Sequence, residues 1–359
     1  MPHATTTTVE RGSRVLVTGA NGFIASHTIY ALLKAGYDVL GTVRSETKAA
    51  AIKATMRDLL PGQAHAFSTS VVTDITQSAS YEDILKSYEP SAVLHLAAPF
   101  AYNVSNFEKD LMEPAVAGTT AVLTAALAAP SIRRVVHTNS FACIYDASLG
   151  MRPGYTYTAK DWCPLKYSDG VSAPAAPVAY RAAKAVAEKT AWSFMEEKKP
   201  HFDLISLCPA MVFGPFLNTP TSLPSSIKEL NTSNQLVWDV LSAPDGKVPP
   251  TKGPVWIDVR DVADAHVTSL ANAELSGRRL LLAKSVYCSQ EIADVARKVL
   301  PSKLAQRVPV GEPGKREAAS HFAIDASEEE RLLASESKGW KDLDECIRDL
   351  GVQLFDIPQ

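Results

Sequence analysis

Two tyrosine–lysine pairs in this 359-residue chain have the spacing for joint acid–base chemistry, Tyr30/Lys34 and Tyr180/Lys184. A Tyr-x-x-x-Lys sequence puts both side chains on one helical face, one turn apart. A phenol has an ordinary pKa of about 10, so it donates or takes a proton near neutrality only beside a cation, which the lysine supplies. Position separates the two pairs. Tyr30 falls near the far end of a helix that opens at a glycine turn, where packing and a solvated lysine account for it. Tyr180 opens a helix after a long loop, downstream of a strand that ends at Ser140. A serine hydroxyl there can bind and orient a substrate oxygen between phenol and hydride. Ser140, Tyr180 and Lys184 are the candidate catalytic group, and Lys184 can also hold ribose hydroxyls.

A second set of residues points to a dinucleotide. The stretch Gly19-Ala20-Asn21-Gly22-Phe23-Ile24-Ala25 follows the apolar run Val15–Val17 and leads into an apolar pattern at helical spacing. Glycines at a strand–helix turn let the backbone approach a phosphate, and the helix N-terminus offers free N–H groups. An NAD site places an acidic residue about 20 residues further on, at the end of the second strand. Asp38 has that count but stands at the strand's start. The strand ends instead on Arg44, with Lys48 one helical turn later, and Glu46 is the one neighbour that argues otherwise. A guanidinium backed by an ammonium suits a 2′-phosphate, so the expected cofactor is NADPH. Asp74 and Ile75 after the third strand, and the small Ala97 and Ala98 after the fourth, are further candidates for cofactor contact.

These residues need elements to carry them. Strands are expected at 14–18, 37–43, 67–72, 92–96, 134–138, 202–207 and 279–282, with helices at 47–60, 81–88, 106–129, 178–199 and 258–272. Strands alternating with helices imply βαβ units, hence a Rossmann-type doubly wound parallel sheet covered on both faces, with ligands at the carboxyl ends of its strands. Residues 145–177 read as a long ordered loop. A helical piece is expected at 223–241, and a mostly helical tail from 288. The domain reading is a tail at 1–11 without order, an NADP-binding domain at 12–207 joined by 255–272, and a smaller substrate lobe from 208–254 and 273–359.

Composition narrows the function classes. The net charge of −3 gives no reason to expect nucleic acid as partner, and no run approaches the roughly 20 apolar residues that span a bilayer. Five scattered cysteines without Cys-x-x-Cys spacing suggest reduced thiols in a cytoplasmic protein, with no disulfide framework and no metal site. There is no Gly-x-Ser-x-Gly elbow, His-Glu-x-x-His or P-loop lysine. His95 and His137 read as core histidines, and His266 as a maker of linking hydrogen bonds.

Taken together the motifs resemble the extended short-chain dehydrogenase/reductase family. They are Thr18-Gly19-Ala20-Asn21-Gly22-Phe23-Ile24-Ala25, Val43-Arg44-Ser45, Asp74-Ile75, Leu96-Ala97-Ala98-Pro99 and Thr138-Asn139-Ser140. Tyr180-x-x-x-Lys184, Pro209-x-x-Val212-Phe213-Gly214-Pro215, Asn231-Thr232-Ser233 and Ile257-Asp258-Val259-Arg260-Asp261 complete the set. The likeness runs from about 12 to 350. It is to fungal NADPH-dependent aldehyde and ketone reductases, with plant dihydroflavonol and cinnamoyl-CoA reductases further off. It implies Ser140, Tyr180 and Lys184 as catalytic residues. The implied cofactor contacts are residues 19–24, Arg44, Lys48, Asp74, Ile75, Thr138, Pro209, Val212 and Ser233. Two positions depart from the pattern: Ala117 stands where relatives carry asparagine, and Asn139 where they carry serine.

The expected function is NADPH-dependent reduction of a small carbonyl compound, in a monomer or homodimer. Pocket walls are sought among Phe100, Phe141, Met211, Phe213, Phe216 and Trp238. An NAD-dependent sugar-nucleotide epimerase or dehydratase on the same fold, and a non-catalytic NADP sensor, are the alternatives.

Overall fold

Val15 and Val17 of the first strand point to one side and Leu16 to the other, and this alternation builds a three-layer molecule. The computed structural model describes residues 8–98, 104–317, 320–334 and 339–358. The strands are β1 (Arg14–Thr18), β2 (Asp38–Val43), β3 (Phe67–Val71), β4 (Ala92–His95), β5 (Arg134–Thr138) and β6 (Thr156–Tyr157). They continue with β7 (Asp203–Pro209), β8 (Met211–Phe213), β9 (Val255–Asp258), β10 (Arg279–Leu282), β11 (Ser285–Val286) and β12 (Ala323–Ile324). The helices are α1 (Phe23–Lys34), α2 (Glu46–Leu59), α3 (Ala79–Tyr88), α4 (Glu113–Leu127), α5 (Tyr167–Val171) and α6 (Ala176–Lys198). After them come α7 (Thr232–Leu241), α8 (Val259–Ala271), α9 (Ser289–Val299), α10 (Ser302–Ala305), α11 (Ser327–Leu333) and α12 (Leu343–Asp356).

Seven strands form one parallel sheet in the order β10-β7-β5-β4-β1-β2-β3. The chain winds outward from β1 to β3, then returns to lay β4 on the other side of β1. That reversal opens a crevice at the carboxyl ends of β1 and β4, the place where such sheets bind ligands. Val15 and Val17 join Ile29, Leu32 and Leu33 of α1 and Val262 and Ala265 of α8 in one core. Leu16 joins Leu85 of α3, Val122 of α4 and Phe194 of α6 in the other. A third core lies in the C-terminal part, where α7, α9 and α12 pack around Phe213, Trp256 and Tyr287.

Several expectations change. The strand at 279–282, assigned to the substrate lobe, is the edge strand of the central sheet. Residues 255–258, assigned to the main domain, pair with β8 and β11 in a separate three-stranded sheet. The tail at 1–11 lies outside the described residues up to position 7. Beyond it Val9 is fully buried, its N–H donates to Leu270 O, and its carbonyl accepts from Tyr37 Oη. A single apolar residue among threonines carries too weak a pattern to signal this docking. The helix expected at 106–129 is broken into a π-turn at Glu108–Met112 and α4, because Pro114 lacks the N–H that would bond one turn back. The piece expected at 223–241 has one 3-10 turn, Ile227–Glu229, and is α-helical only from Thr232. Before it the chain crosses α2, where Thr219 and Thr221 meet the Thr55 hydroxyl. The loop at 145–177 contains β6 and α5.

The first turn of α8 buries Asp261, which accepts the Lys341 N–H. Burial, with Asp258 adding to it, pushes the Asp261 carboxyl up to about 7. The folded protein thus retains a proton that the unfolded chain, with its ordinary 3.8, releases. Stability contributed by this group is present below about 4 and is lost as pH rises to about 7. Asp261→Asn is expected to remove that loss, so that the variant gains on the parent across this window in urea denaturation at a series of pH values.

Candidate active site

The parallel register brings the candidate residues to one edge. Thr18 pairs with His95, His95 with His137, and Thr138 with Leu207, so the segments that follow these strands start side by side. They are the glycine turn, Ala97–Ala98, Asn139–Ser140 and Cys208–Pro209. Arg44 follows β2 on the same edge, and Asp74–Ile75 follows β3 one step further out.

At the turn, Gly19 has a φ of +70°, and a Cβ there would come within 3.0 Å of Ala97 Cα. Only glycine meets both demands. Gly22 N–H donates to Gly19 O at 2.9 Å and Ala20 N–H to Thr42 O at 2.9 Å, which fixes the loop. No side chain caps α1 at Gly22 and no acid stands in its first turn, whereas α2 is capped by Ser45. The amino end of α1 therefore offers open N–H groups to an anion. Asn21 is exposed, and Phe23 and Ile24 are half-buried. Thr18, missed in the sequence, ties the two strand ends: its Oγ1 accepts the N–H of Leu96 at 3.1 Å and of Ala97 at 2.9 Å.

Arg44 and Lys48 are exposed and form no ion pair with any described residue. One Asp74 oxygen accepts the Thr76 N–H at 2.8 Å and hydroxyl at 2.6 Å, and these bonds hold its carboxyl below the usual range. Ile75 lies against Gly118 of α4. Pro209 ends β7, Val212 is buried in β8 beside Ile257, and Ser233 is half-buried in the first turn of α7.

Ser140 accepts the Ala142 N–H at 3.1 Å, which orients its hydroxyl at the start of a short 3-10 turn. Tyr180 and Lys184 are half-buried on α6. Lys184 Nζ donates to Thr138 O at 3.4 Å. Burial lowers the Lys184 pKa, while the nearby Cys143, Cys208 and Glu188 act the other way. Thr138 Oγ1 bonds His266 Nε2 at 2.7 Å, and His266 Nδ1 donates to Val262 O at 2.7 Å, which links the serine strand to α8. The second pair stays apart from this group: Lys34 Nζ lies 5.4 Å above the Tyr30 ring at the far end of α1.

What holds α6 in place is a buried ion pair that the sequence reading overlooked. Glu188 follows Tyr180 and Lys184 at the same spacing of four, so it shares their face. Its two oxygens accept Arg279 Nε and Nη2 at 2.9 Å each. The same guanidinium donates to Ala159 O at 2.6 Å, Asp161 O at 2.5 Å and Cys143 O at 3.0 Å, and stacks 3.7 Å from the Trp162 ring centre. One arginine thereby joins α6, the edge strand, the turn after Ser140 and the long loop.

The six aromatic and methionine candidates do not form one wall. Phe100 lies outside the described residues. Phe213 is fully buried between Trp256 and Tyr287, and Trp238 is buried against Phe355, so both are core side chains. Their apolar character reads the same in a core as in a pocket. Phe141, beside Ser140, belongs to an aromatic group with Tyr145, Tyr157 and Phe322. Phe216 lies 5.3 Å from Phe23, and Met211 is half-buried. The loop carrying Phe216 is clamped on both sides: Gln353 bonds its N–H and carbonyl at 2.8 and 3.0 Å, and His27 bonds Pro215 O at 2.9 Å.

Fold and site define a Rossmann-type protein with a serine, a tyrosine and a lysine at the nucleotide edge. The chain belongs to the NAD dependent epimerase/dehydratase family, which it matches over residues 15–283. It is similar to the NADPH-dependent methylglyoxal reductase of Saccharomyces cerevisiae, with 33% identity over 353 residues that cover 95% of this chain and 98% of that one. A ketoreductase of Aspergillus niger is 33% identical over 349 residues, covering 96% and 98%. The crystal structure of yeast methylglyoxal/isovaleraldehyde reductase complexed with NADPH superposes with a TM-score of 0.85 at 31% identity, over 96% of this chain and 98% of that one.

Removing one partner of the buried pair leaves the other charge uncompensated. Arg279→Ala is expected to cost about 3–5 kcal/mol in denaturant unfolding, and a surface control such as Arg57→Ala under about 0.5 kcal/mol.

Proposed function

We propose that this protein is an NADPH-dependent carbonyl reductase that converts small aldehydes, ketones or keto-esters to alcohols. The observation that carries the reading is the convergence of Ser140, Tyr180 and Lys184 with the uncapped glycine turn on one sheet edge. The resemblance to NADPH-dependent reductases supports the same reading.

The residues fit the cofactor. The turn at Gly19 leaves room for phosphate where any side chain would strike Ala97, and the open amino end of α1 favours an anion. Arg44 and Lys48, both exposed and in no ion pair among the described residues, suit the 2′-phosphate. Asp74 and Ile75 would flank the adenine, and Pro209, Val212 and Ser233 the nicotinamide. When bound, NADPH supplies the hydride that goes to the carbonyl carbon.

The chain's own residues do the rest. Ser140, oriented by the Ala142 N–H, donates to the carbonyl oxygen and fixes its direction. Tyr180 passes its phenolic proton to that oxygen as the alcohol forms. Lys184, held by Thr138 O one turn from Tyr180, stabilises the phenolate left behind. Arg44 directly follows the second strand, where an NAD-dependent epimerase would place a carboxylate, and this weighs for the reductase. The free, buried state of all five cysteines supports a cytoplasmic setting.

Tyr180→Phe is expected to lower kcat by about a hundredfold or more while NADPH still binds, as followed by cofactor fluorescence. Turnover at the parent rate would overturn the mechanism. Arg44→Ala is expected to raise KM for NADPH about tenfold or more and to leave KM for NADH nearly unchanged. An equal effect on both cofactors would refute the phosphate assignment.

A further inference from the structure

One row of residues crosses the sheet beneath the candidate site: Thr18, His95, His137, Ser206 and Arg279 stand opposite one another on β1, β4, β5, β7 and β10. The row is polar throughout and buried. Ser206 Oγ donates to Glu188 Oε1 at 2.5 Å, so toward Asn139 it accepts, and Asn139 Nδ2 donates to it at 2.8 Å. The same Nδ2 faces His137 Nδ1 at 3.4 Å, which places the His137 proton on Nε2. Thr18 Oγ1 already accepts from Leu96 and Ala97, so its single proton goes to His95 Nδ1, and His95 also carries its own on Nε2.

The two rings lie 5.2 Å apart and are 4% and 5% exposed, yet neither Nε2–H has a partner among the described residues. Burial keeps both neutral, His95 at about 3 and His137 well below its ordinary value. Both rings line a cavity of about 10 Å³ together with Lys184, Ala97, Gly118 and Thr119. That is the room one water molecule needs. Thr119 Oγ1 spends its proton on Ala115 O at 2.9 Å, so it offers only lone pairs. An occupant must accept from the imidazoles and from Lys184, and donate to Thr119. Water does both, whereas a halide ion does only the first.

We propose that this cavity holds one ordered water bonded to the Nε2–H groups of His95 and His137, and that the histidine pair, through this water, positions the Lys184 ammonium. The histidines are positioning residues, and the catalytic weight given to Lys184 rests on the reductase reading. Of the water's two lone pairs one accepts from the ammonium and the other is shared, three-centred, by the two ring N–H groups, so the half-buried cation gains an acceptor besides Thr138 O. The other groups that act on Lys184 are Glu188 on its own helix and the Cys143 and Cys208 thiols. At the cavity α4 brings no charge, only Pro114, Ala115, Gly118 and Thr119.

The test has a structural arm and a kinetic arm. A high-resolution crystal structure of the full chain should show one water within about 3.2 Å of both Nε2 atoms and of Lys184 Nζ, and ¹⁵N shifts should report the Nε2–H tautomer for both rings. In reduction assays, His137→Leu and His95→Leu should each lower kcat about tenfold or more, since the ammonium loses a hydrogen bond. The alkaline limb of kcat should move to lower pH, because an acceptor that favours the charged lysine is gone. His137→Gln, which keeps an N–H donor, should restore both values to within about threefold of the parent. An empty cavity overturns the proposal. So do leucine variants with parental kcat and an unmoved alkaline limb, and so does a glutamine variant as impaired as the leucine one. Crystal and NMR readouts are independent of turnover, so they distinguish failure of this proposal from failure of the reductase assignment tested by Tyr180→Phe.

Discussion

The geometry of the candidate site depends on the buried pair of Glu188 and Arg279. Helix α6 carries Tyr180 and Lys184, and its position over the sheet is set where Glu188 meets the edge strand β10. Two charges taken out of water are costly unless each hydrogen-bonding group is satisfied. Here the guanidinium spends its remaining donors on the carbonyls of Ala159, Asp161 and Cys143, which belong to the loop and turn that must stay close to Ser140. The need to satisfy one buried arginine thus draws the serine turn, the tyrosine helix and the long loop together. A hydrophobic pair of equal volume would fill the space without specifying that arrangement.

The same logic extends across the sheet. A parallel sheet covered on both faces usually carries apolar side chains throughout, yet the row from Thr18 to Arg279 is polar. Thr18 pairs with His95, Ser206 and Arg279 with Glu188, and His137 with Asn139, which leaves the two imidazole Nε2 atoms. The row's members on β1 and β4, Thr18 and His95, are the last residues of their strands, where the crevice opens between the two. Thr18 acts there as a side-chain bridge that joins the start of the glycine turn to the start of Ala97–Ala98. The close approach of Gly19 to Ala97 follows from that bridge.

Much of this was legible in the residues. Strand–helix alternation gave the order and nearly the bounds of the elements from β1 to β4, and of β5, α6 and β7, because each half-buried helix and buried strand shows its own period. The glycine turn was legible because few residues tolerate a positive φ beside a neighbouring strand. The two Tyr-x-x-x-Lys pairs could be told apart in position by their distance to strand ends. Glu188 was within reach too, as the next residue on the face of Tyr180 and Lys184, but a glutamate on a helix ordinarily marks a solvated surface. Arg279 gave no signal, since its partners lie 91 to 136 positions away.

Local sequence determined which segments become strand, turn and helix, which residues could do acid–base chemistry, and that the end of β2 is cationic. It did so because backbone conformation, helical spacing and charge are properties of neighbouring residues. Tertiary structure alone decided that 279–282 closes the central sheet, that Val9 is core, that Phe213 and Trp238 are core side chains, and that two histidines share one cavity with Lys184. Those outcomes turn on which face of one element meets which face of another. An apolar or neutral polar residue is compatible with either place until the partner surface is present.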